Sequence, residues 1–292
     1  MKKITLLGMM AAMAFAAHAQ TTYLEYANAG DACMSNEDYK GAAANYEKAL
    51  ELDADKTDYT TAMQLGLCYE QLGEMQKAGD AYKQSYLRGN YDNGIINNMR
   101  NCYEKAGCTD VLKQSYQQIA EAFPEQQPAM AKRLYNIYLK ENDNPKLIEC
   151  CELMLADPDV TEENRMKYLK NAAGFALKMD STDLAQSYYE KILAIAPNDP
   201  DIHKAIGSSL YNQIKNNKKR YTDIYEAKKK AGSKHPMQDY ADMNKGIKPV
   251  TMKYAPIAIE HLKIANGQKP DPENTRMISD LQSDMAVFTK KN

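Results

Sequence analysis

Residues 65–73 read Leu65-Gly66-Leu67-Cys68-Tyr69-Glu70-Gln71-Leu72-Gly73, and 34 residues later the chain reads Met99-Arg100-Asn101-Cys102-Tyr103-Glu104-Lys105-Ala106-Gly107. Tyr82 returns at the same interval as Tyr116, and Pro124 as Pro158. A period of this length with helical patterning inside each unit points to stacked helix pairs, since one pair cannot bury its apolar face alone. The expected fold class is therefore all-α, a solenoid of antiparallel helix pairs with an extended concave surface.

Working outward, a first unit covers residues 23–56. Its Ala42, Tyr46 and Ala49 recur at i, i+4 and i+7 and so share one helical face, and Asn36-Glu37-Asp38 forms the polar turn between its helices. In the second unit, residues 59–92, Ala78, Tyr82 and Ser85 follow the turn residue Gly73. The third keeps Met99, Tyr103, Gly107 and Tyr116, but Arg100 and Leu112 replace small residues, which predicts helices set further apart. The fourth, residues 127–159, is degenerate, with Leu134, Tyr138, Leu147 and Cys151 as its apolar face. In the fifth, Thr161 caps a helix ahead of Glu162 and Glu163, and Leu169, Ala173, Ala176, Ala185, Tyr189 and Ile192 follow. The sixth opens with Asp199 as N-cap and Pro200 at the first helical position. Ile206-Gly207 and Leu210 lie on its first helix, while its second arrives late as Ala258, Leu262 and Ala265. Asp271-Pro272 then opens a terminal helix with Met277, Leu281, Met285 and Phe288 on its buried face.

An insertion at residues 216–250 separates the two helices of the sixth unit. With Lys215 it carries Lys218, Lys219, Arg220, Lys228, Lys229, Lys230 and Lys234, and Gly232, Pro236, Gly246 and Pro249 interrupt it. It reads as extended helix ends projecting as an irregular arm, with Pro256 kinking the second helix near its start. Such an insertion is either a solvated lysine-rich hairpin or a binding face.

The first residues read as an address. Lys2 and Lys3 precede the uncharged run Ile4–Ala16, and Ala17-His18-Ala19 supplies the small residues of a cleavage site before Gln20. The expected organisation is a signal peptide at 1–19, a solenoid of about six repeats at 20–270 and a capping helix at 271–292. No later stretch is long and apolar enough to span a bilayer. The first cysteine after the cleavage site is Cys33, so a lipid anchor on the new N-terminus is not expected. The product should be soluble, periplasmic or secreted. Loss of Lys2 and Lys3 takes the formal charge from −2 to −4, which gives no electrostatic reason to seek nucleic acid. Tryptophan is absent and phenylalanine scarce at 4, while tyrosine reaches 21 and methionine 17; these last two are expected to fill the helix crossings.

The order leucine, small residue, aromatic, turn glycine, alanine, aromatic, small residue around Leu65-Gly66, Tyr69, Gly73, Ala78, Tyr82 and Ser85 resembles the tetratricopeptide repeat family. The resemblance extends over about Tyr23 to Pro270. It implies a right-handed superhelix whose groove is lined by the first helix of each pair, and protein or peptide partners bound there. The export signal and long last hairpin resemble exported members of the family from Bacteroidetes-type bacteria. Lys132, Lys170 and Lys204 hold matching places on successive first helices, 38 and 34 residues apart, and Lys140 and Lys178 form a second pair 38 apart. In the family these places face the groove. Lys132 with Asn136 one turn on, and Asn171 in the next unit, resemble part of a clamp for acidic peptide carboxylates. The clamp's remaining basic places fall on Asp201 and Ala205, so it is incomplete.

Little in the chain points to chemistry. Outside the leader the histidines are His203, His235 and His261, none in a metal spacing, and no phosphate loop or nucleophile elbow occurs. No cofactor and no enzymatic activity are expected. The six cysteines, Cys33, Cys68, Cys102, Cys108, Cys150 and Cys151, read mainly as buried apolar thiols. Cys68 and Cys102 occupy equivalent places on neighbouring first helices, and a disulfide between them is feasible only if both lean into one gap. The expected function is an exported scaffold for protein or peptide partners. The alternative is a module for envelope glycan or cell-wall fragments, for which Tyr211 is the one groove-side aromatic platform.

Overall fold

The computed structural model describes residues 22–289, and the expected leader at 1–19 lies outside them. Every regular element in these residues is a helix. They are α1 (22–35), α2 (Tyr39–Leu52), α3 (Tyr59–Gln71), α4 (Met75–Leu87), α5 (Asn93–Lys105), α6 (Thr109–Ala122) and α7 (Gln127–Glu141). The second half holds α8 (Asn144–Leu155), α9 (Glu162–Lys178), α10 (Thr182–Ile195), α11 (Pro200–Lys230), α12 (Pro236–Gln268) and α13 (Pro272–Thr289). A short 3-10 turn, Pro124–Gln126, precedes α7. The fold class is the all-α, tetratricopeptide-like solenoid that the period predicts. The chain divides within α7 into two compact units, one ending at Leu134 and the other beginning at Tyr135.

In the unit up to Leu134, α2 packs on α3, α3 on α4, α4 on α5 and α5 on α6. Asp38, Asp58 and Asp92 cap α2, α3 and α5 by accepting from exposed backbone N–H groups, each such cap being worth roughly 1 kcal/mol. Tyrosines key into glycines where helices cross. Tyr46 lies over Gly30, Tyr82 over Gly66 and Tyr103 over Gly79, leaving no room for a Cβ at any of the three. These rings are buried, and their hydroxyls donate to Asp31 at 2.7 Å, Glu70 at 2.6 Å and Asp80 at 2.6 Å. The apolar ring thus fills the crossing while its polar tip reaches a carboxylate. Arg100 stands where the period places Gly66, half-exposed. The α5–α6 pair is accordingly much less closely packed than α3–α4, as the bulk of Arg100 and Leu112 predicts.

In the unit from Tyr135, α8, α9, α10, α11 and α12 pack in succession, and α13 lies against both α11 and α12. Leu147, Cys151, Leu169, Ala173, Ala176, Ala185, Tyr189, Ile192, Ile206, Leu210, Ala258, Leu262 and Ala265 are all buried. On α13, Met277 and Leu281 are buried, Met285 and Phe288 only half-buried, and two polar residues, Asn274 and Asp284, are buried with them.

The same turn closes every hairpin. Glu37, Gly73, Gly107, Asn142, Asp180 and Gly232 all hold left-handed backbone, with φ between 55° and 75°. After each, the next N–H reaches back five residues to a carbonyl of the first helix, as Glu74 to Tyr69 at 2.9 Å and Asp143 to Tyr138 at 3.1 Å. This is the Schellman C-cap. The degenerate fourth unit therefore has a regular turn, with Asn142 in the glycine place.

The sixth hairpin corrects two expectations. The arm is not irregular: α11 runs unbroken to Lys230, Gly232 makes the turn, and α12 starts at Pro236. Pro236 sits at a helix start rather than interrupting one, and Gly246 makes room for the Tyr221 ring. Pro256 is not near the start of its helix but twenty residues into it. Pro249 and Pro256 both fall on exposed positions inside α12.

Candidate functional site

Lys132 and Asn136 lie one turn apart on α7, both exposed. Lys132 belongs to the first unit and Asn136, Lys170, Asn171 and Lys204 to the second. Lys170, on α9, is exposed, with its Nζ 3.9 Å from Asp199, the N-cap of α11. Asn171 donates through Nδ2 to the Tyr135 hydroxyl at 3.1 Å. Lys204, on α11, is committed to the start of α13: its Nζ lies 2.7 Å from Asp271 and 3.3 Å from Glu273. These two hydrogen bonds raise the Lys204 pKa, while the Lys204 bond and then the Glu273 backbone N–H hold Asp271 below the usual carboxylate range. Lysines on successive first helices therefore tie to the capping aspartate of the next. The partners Asp199 and Asp271 were visible in the sequence as caps, but not as ion-pair acceptors.

Tyr211 is not an exposed platform. It is buried beneath α13, with its hydroxyl donating to Asp280 at 2.7 Å. Deeper along the same helix, Lys215 and Lys218 both bind Asp284, the former at 3.0 Å. Burial pushes the Asp284 carboxyl up, but the Lys218 and Lys215 hydrogen bonds outweigh it and the net shift is downward. Much of the lysine charge on the long hairpin is answered internally, Lys219 by Asp223 and Lys228 by Asp239, each at 2.9 Å.

Cys68 and Cys102 are buried free thiols. Cys68 Sγ lies 3.6 Å from Met34 Sδ. Burial pushes the two thiols up to about 11 and about 12, far from reactive thiolates. No cluster of three metal-ligating side chains occurs among the described residues.

Two features escaped the sequence reading. His203 and His261, 58 residues apart, meet between α11 and α12 with Nδ1 atoms 2.8 Å apart. His203 Nε2 lies 3.0 Å from the Pro197 carbonyl. A carbonyl only accepts, so Nε2 of His203 carries a proton and, in the neutral pair, its Nδ1 accepts from His261. Burial, then the neighbouring His203, lower the His261 pKa. The second feature is a polar cavity of about 440 Å³ where α11 passes the α9–α10 turn.

The tetratricopeptide repeat family matches residues 26–56 and 59–87, the units that hold the Tyr46–Gly30 and Tyr82–Gly66 crossings. The chain carries tetratricopeptide repeats. It is similar to the Photosystem I assembly protein Ycf3 of Prochlorococcus marinus, at 31% identity over 101 residues. That match takes in 34% of this tetratricopeptide-repeat chain and spans 58% of the length of that protein. Among solved structures it is similar to part of a repeat protein from Cytophaga hutchinsonii, at 16% identity and a TM-score of 0.36, covering 85% of this chain and 98% of that one. It is also similar to a repeat protein from Bacteroides fragilis, at 12% identity and a TM-score of 0.31, covering 89% and 98%. No helix among the described residues is long and apolar enough to cross a membrane.

Proposed function

We propose that this tetratricopeptide-repeat chain is an exported, non-enzymatic scaffold that holds a protein or peptide partner along the first helices of its repeats. The observation that carries this reading is the repeat architecture itself, in which each unit spends its apolar side on its neighbours and leaves a polar first-helix face for a partner. The name of Ycf3, an assembly protein, belongs to the same class of work. Export is supported by Lys2-Lys3, the apolar run Ile4–Ala16 and Ala17-His18-Ala19.

Acidic groups of the partner are received on Lys132 in the first unit and, as a separate contact, on Lys170 in the second, the unit that also holds Asn136. Lys204 contributes only if the partner displaces Asp271 and Glu273. The glycan reading loses its groove-side platform, because Tyr211 is buried under α13.

The test compares proteins recovered from envelope extract by the wild-type chain and by the Lys132→Glu, Lys170→Glu variant. Buried or bidentate charge contacts lose far more on reversal than rim contacts do. Partners captured by the wild type should be lost from the variant. Undiminished capture by the variant would refute the acidic-partner reading, and recovery of glycan alone would refute the scaffold.

A further inference from the structure

The cavity beside α11 is polar in an unusual way. Ser209, Gln213 and Asn217 follow one another at i, i+4 and i+8 on α11 and line one wall. Each has a side-chain oxygen (Ser209 Oγ, Gln213 Oε1 and Asn217 Oδ1) that is buried without a partner in the protein. Ser209 is only 8% exposed. Asn212 and Asn216 line the same wall one helical step away, and Arg220 extends it toward the arm. The facing wall comes from the end of α9 and its turn, with Leu177, Asp180 and Thr182. The cavity exists because α11 outruns α9: residues beyond the α9–α10 turn lose the neighbour that covers their equivalents in a hairpin of ordinary length.

A buried oxygen without a donor forfeits the hydrogen bonds that water would give it, and three in one column are three positions waiting for N–H or O–H groups. Rungs four residues apart on a helix are about 6 Å apart. Alternate residues of an extended chain, which point their backbone N–H groups to the same side, repeat every 6.4–6.8 Å or so. Three rungs therefore match alternate residues of an extended segment of about five residues, with side-chain amides able both to donate to and to accept from its backbone. No aromatic ring lines the cavity to stack against a sugar face.

We propose that this elbow is a binding site for an extended polypeptide segment of a partner protein, held by its backbone on the Ser209, Gln213 and Asn217 column, with an acidic group placed against Arg220. The inference rests on the scaffold reading above but names a different site from the lysine positions of α7 and α9.

The test pans random linear peptides against the purified chain and measures a selected peptide by fluorescence anisotropy against two variants. In the first, Ser209→Ala is combined with Gln213→Leu and Asn217→Leu; in the second, Lys132→Glu is combined with Lys170→Glu. Replacing unpartnered buried oxygens with apolar groups should leave the melting temperature unchanged or raised, so loss of binding cannot be ascribed to unfolding. The inference expects the elbow variant to lose about tenfold or more in affinity, the worth of one or two hydrogen bonds, and a photo-crosslinker at Asn216 to mark the peptide. Full binding by the elbow variant, with loss in the lysine variant, overturns the elbow site and leaves the scaffold reading standing. Failure of any peptide to bind overturns both. Chito-oligosaccharide binding that the elbow variant abolishes, with no peptide bound, overturns the polypeptide assignment in favour of a glycan.

Discussion

Gly66 is the position where the packing argument can be tested most directly. A Cβ built on it would lie 2.7–2.9 Å from three ring carbons of Tyr82, about 1 Å inside ordinary carbon contact. The ring has no retreat: Tyr82 is fully buried and its hydroxyl is held 2.6 Å from Glu70. Gly66→Ala therefore carries an overpacking cost of about 1–3 kcal/mol and puts at risk a phenol–carboxylate hydrogen bond worth about 1.5–3 kcal/mol. The gain in helix propensity returns roughly 1 kcal/mol. The net is a destabilisation of about 1.5–5 kcal/mol on these figures, and Gly66→Leu should exceed it. Arg100→Leu, at the equivalent place 34 residues on, should stay within about 1 kcal/mol, because that crossing is already loose. Urea unfolding followed by far-UV circular dichroism measures all three. Adding Tyr82→Leu to Gly66→Ala should recover about 1 kcal/mol or more as a coupling term, since the two residues share one contact. Equal midpoint shifts for Gly66→Leu and Arg100→Leu, or strict additivity with Tyr82→Leu, would refute the crossing.

Three further outcomes follow from the same contacts. Asp284→Ala strands Lys215 and Lys218 and should lower stability by about 1–3 kcal/mol, with faster hydrogen exchange in α13; because the folded pKa of Asp284 is depressed, its contribution is full at neutral pH and lost in acid below the ordinary aspartate range of about 3.9. The His261 pKa is likewise depressed on folding, so its share of stability is present above about 6.5 and falls as pH drops below that value; melting temperatures between neutral and mildly acid pH should slope less in His261→Gln than in the wild type. Glu37→Gly relieves a left-handed non-glycine residue with φ of 60° and should stabilise the first hairpin by roughly 1 kcal/mol, read as a raised melting temperature.

The sequence was most legible where a single residue type carries a geometric need. Tyr46, Tyr82 and Tyr103 are large enough to key a crossing, and Asp199-Pro200 and Asp271-Pro272 can hardly be anything but helix starts. The hairpin turns were legible at Gly73, at Gly107 and, from its polar run, at Asn36-Glu37-Asp38, but not at Asn142, Asp180 or Gly232. Glu37, Asn142 and Asp180 adopt the same backbone because the C-cap hydrogen bonds around them outweigh a modest steric cost. The long hairpin was misread because Gly246, Pro249 and Pro256 are helix breakers on average, whereas here one glycine admits a ring and both prolines sit on the outer face. The His203–His261 contact and the oxygen column on α11 depend on how far two helices run past their neighbours. No local pattern encodes that length. Lys204 was legible as a surface cation, but its commitment to Asp271 came only with the placement of α13.

The shared left-handed turn has a consequence for how such chains can change. Each hairpin closes on one residue and three or four backbone bonds of its own, so the turn does not register how many residues separate it from the rest of the stack. The last hairpin carries its turn residue 52 positions beyond that of the fifth, against 34 to 38 for the earlier steps, yet keeps the same closure. Reach can therefore be altered by adding residues in matched numbers to the two legs of one hairpin, leaving its neighbours' crossings untouched. Length becomes a parameter that mutation, or a protein engineer, can set one unit at a time.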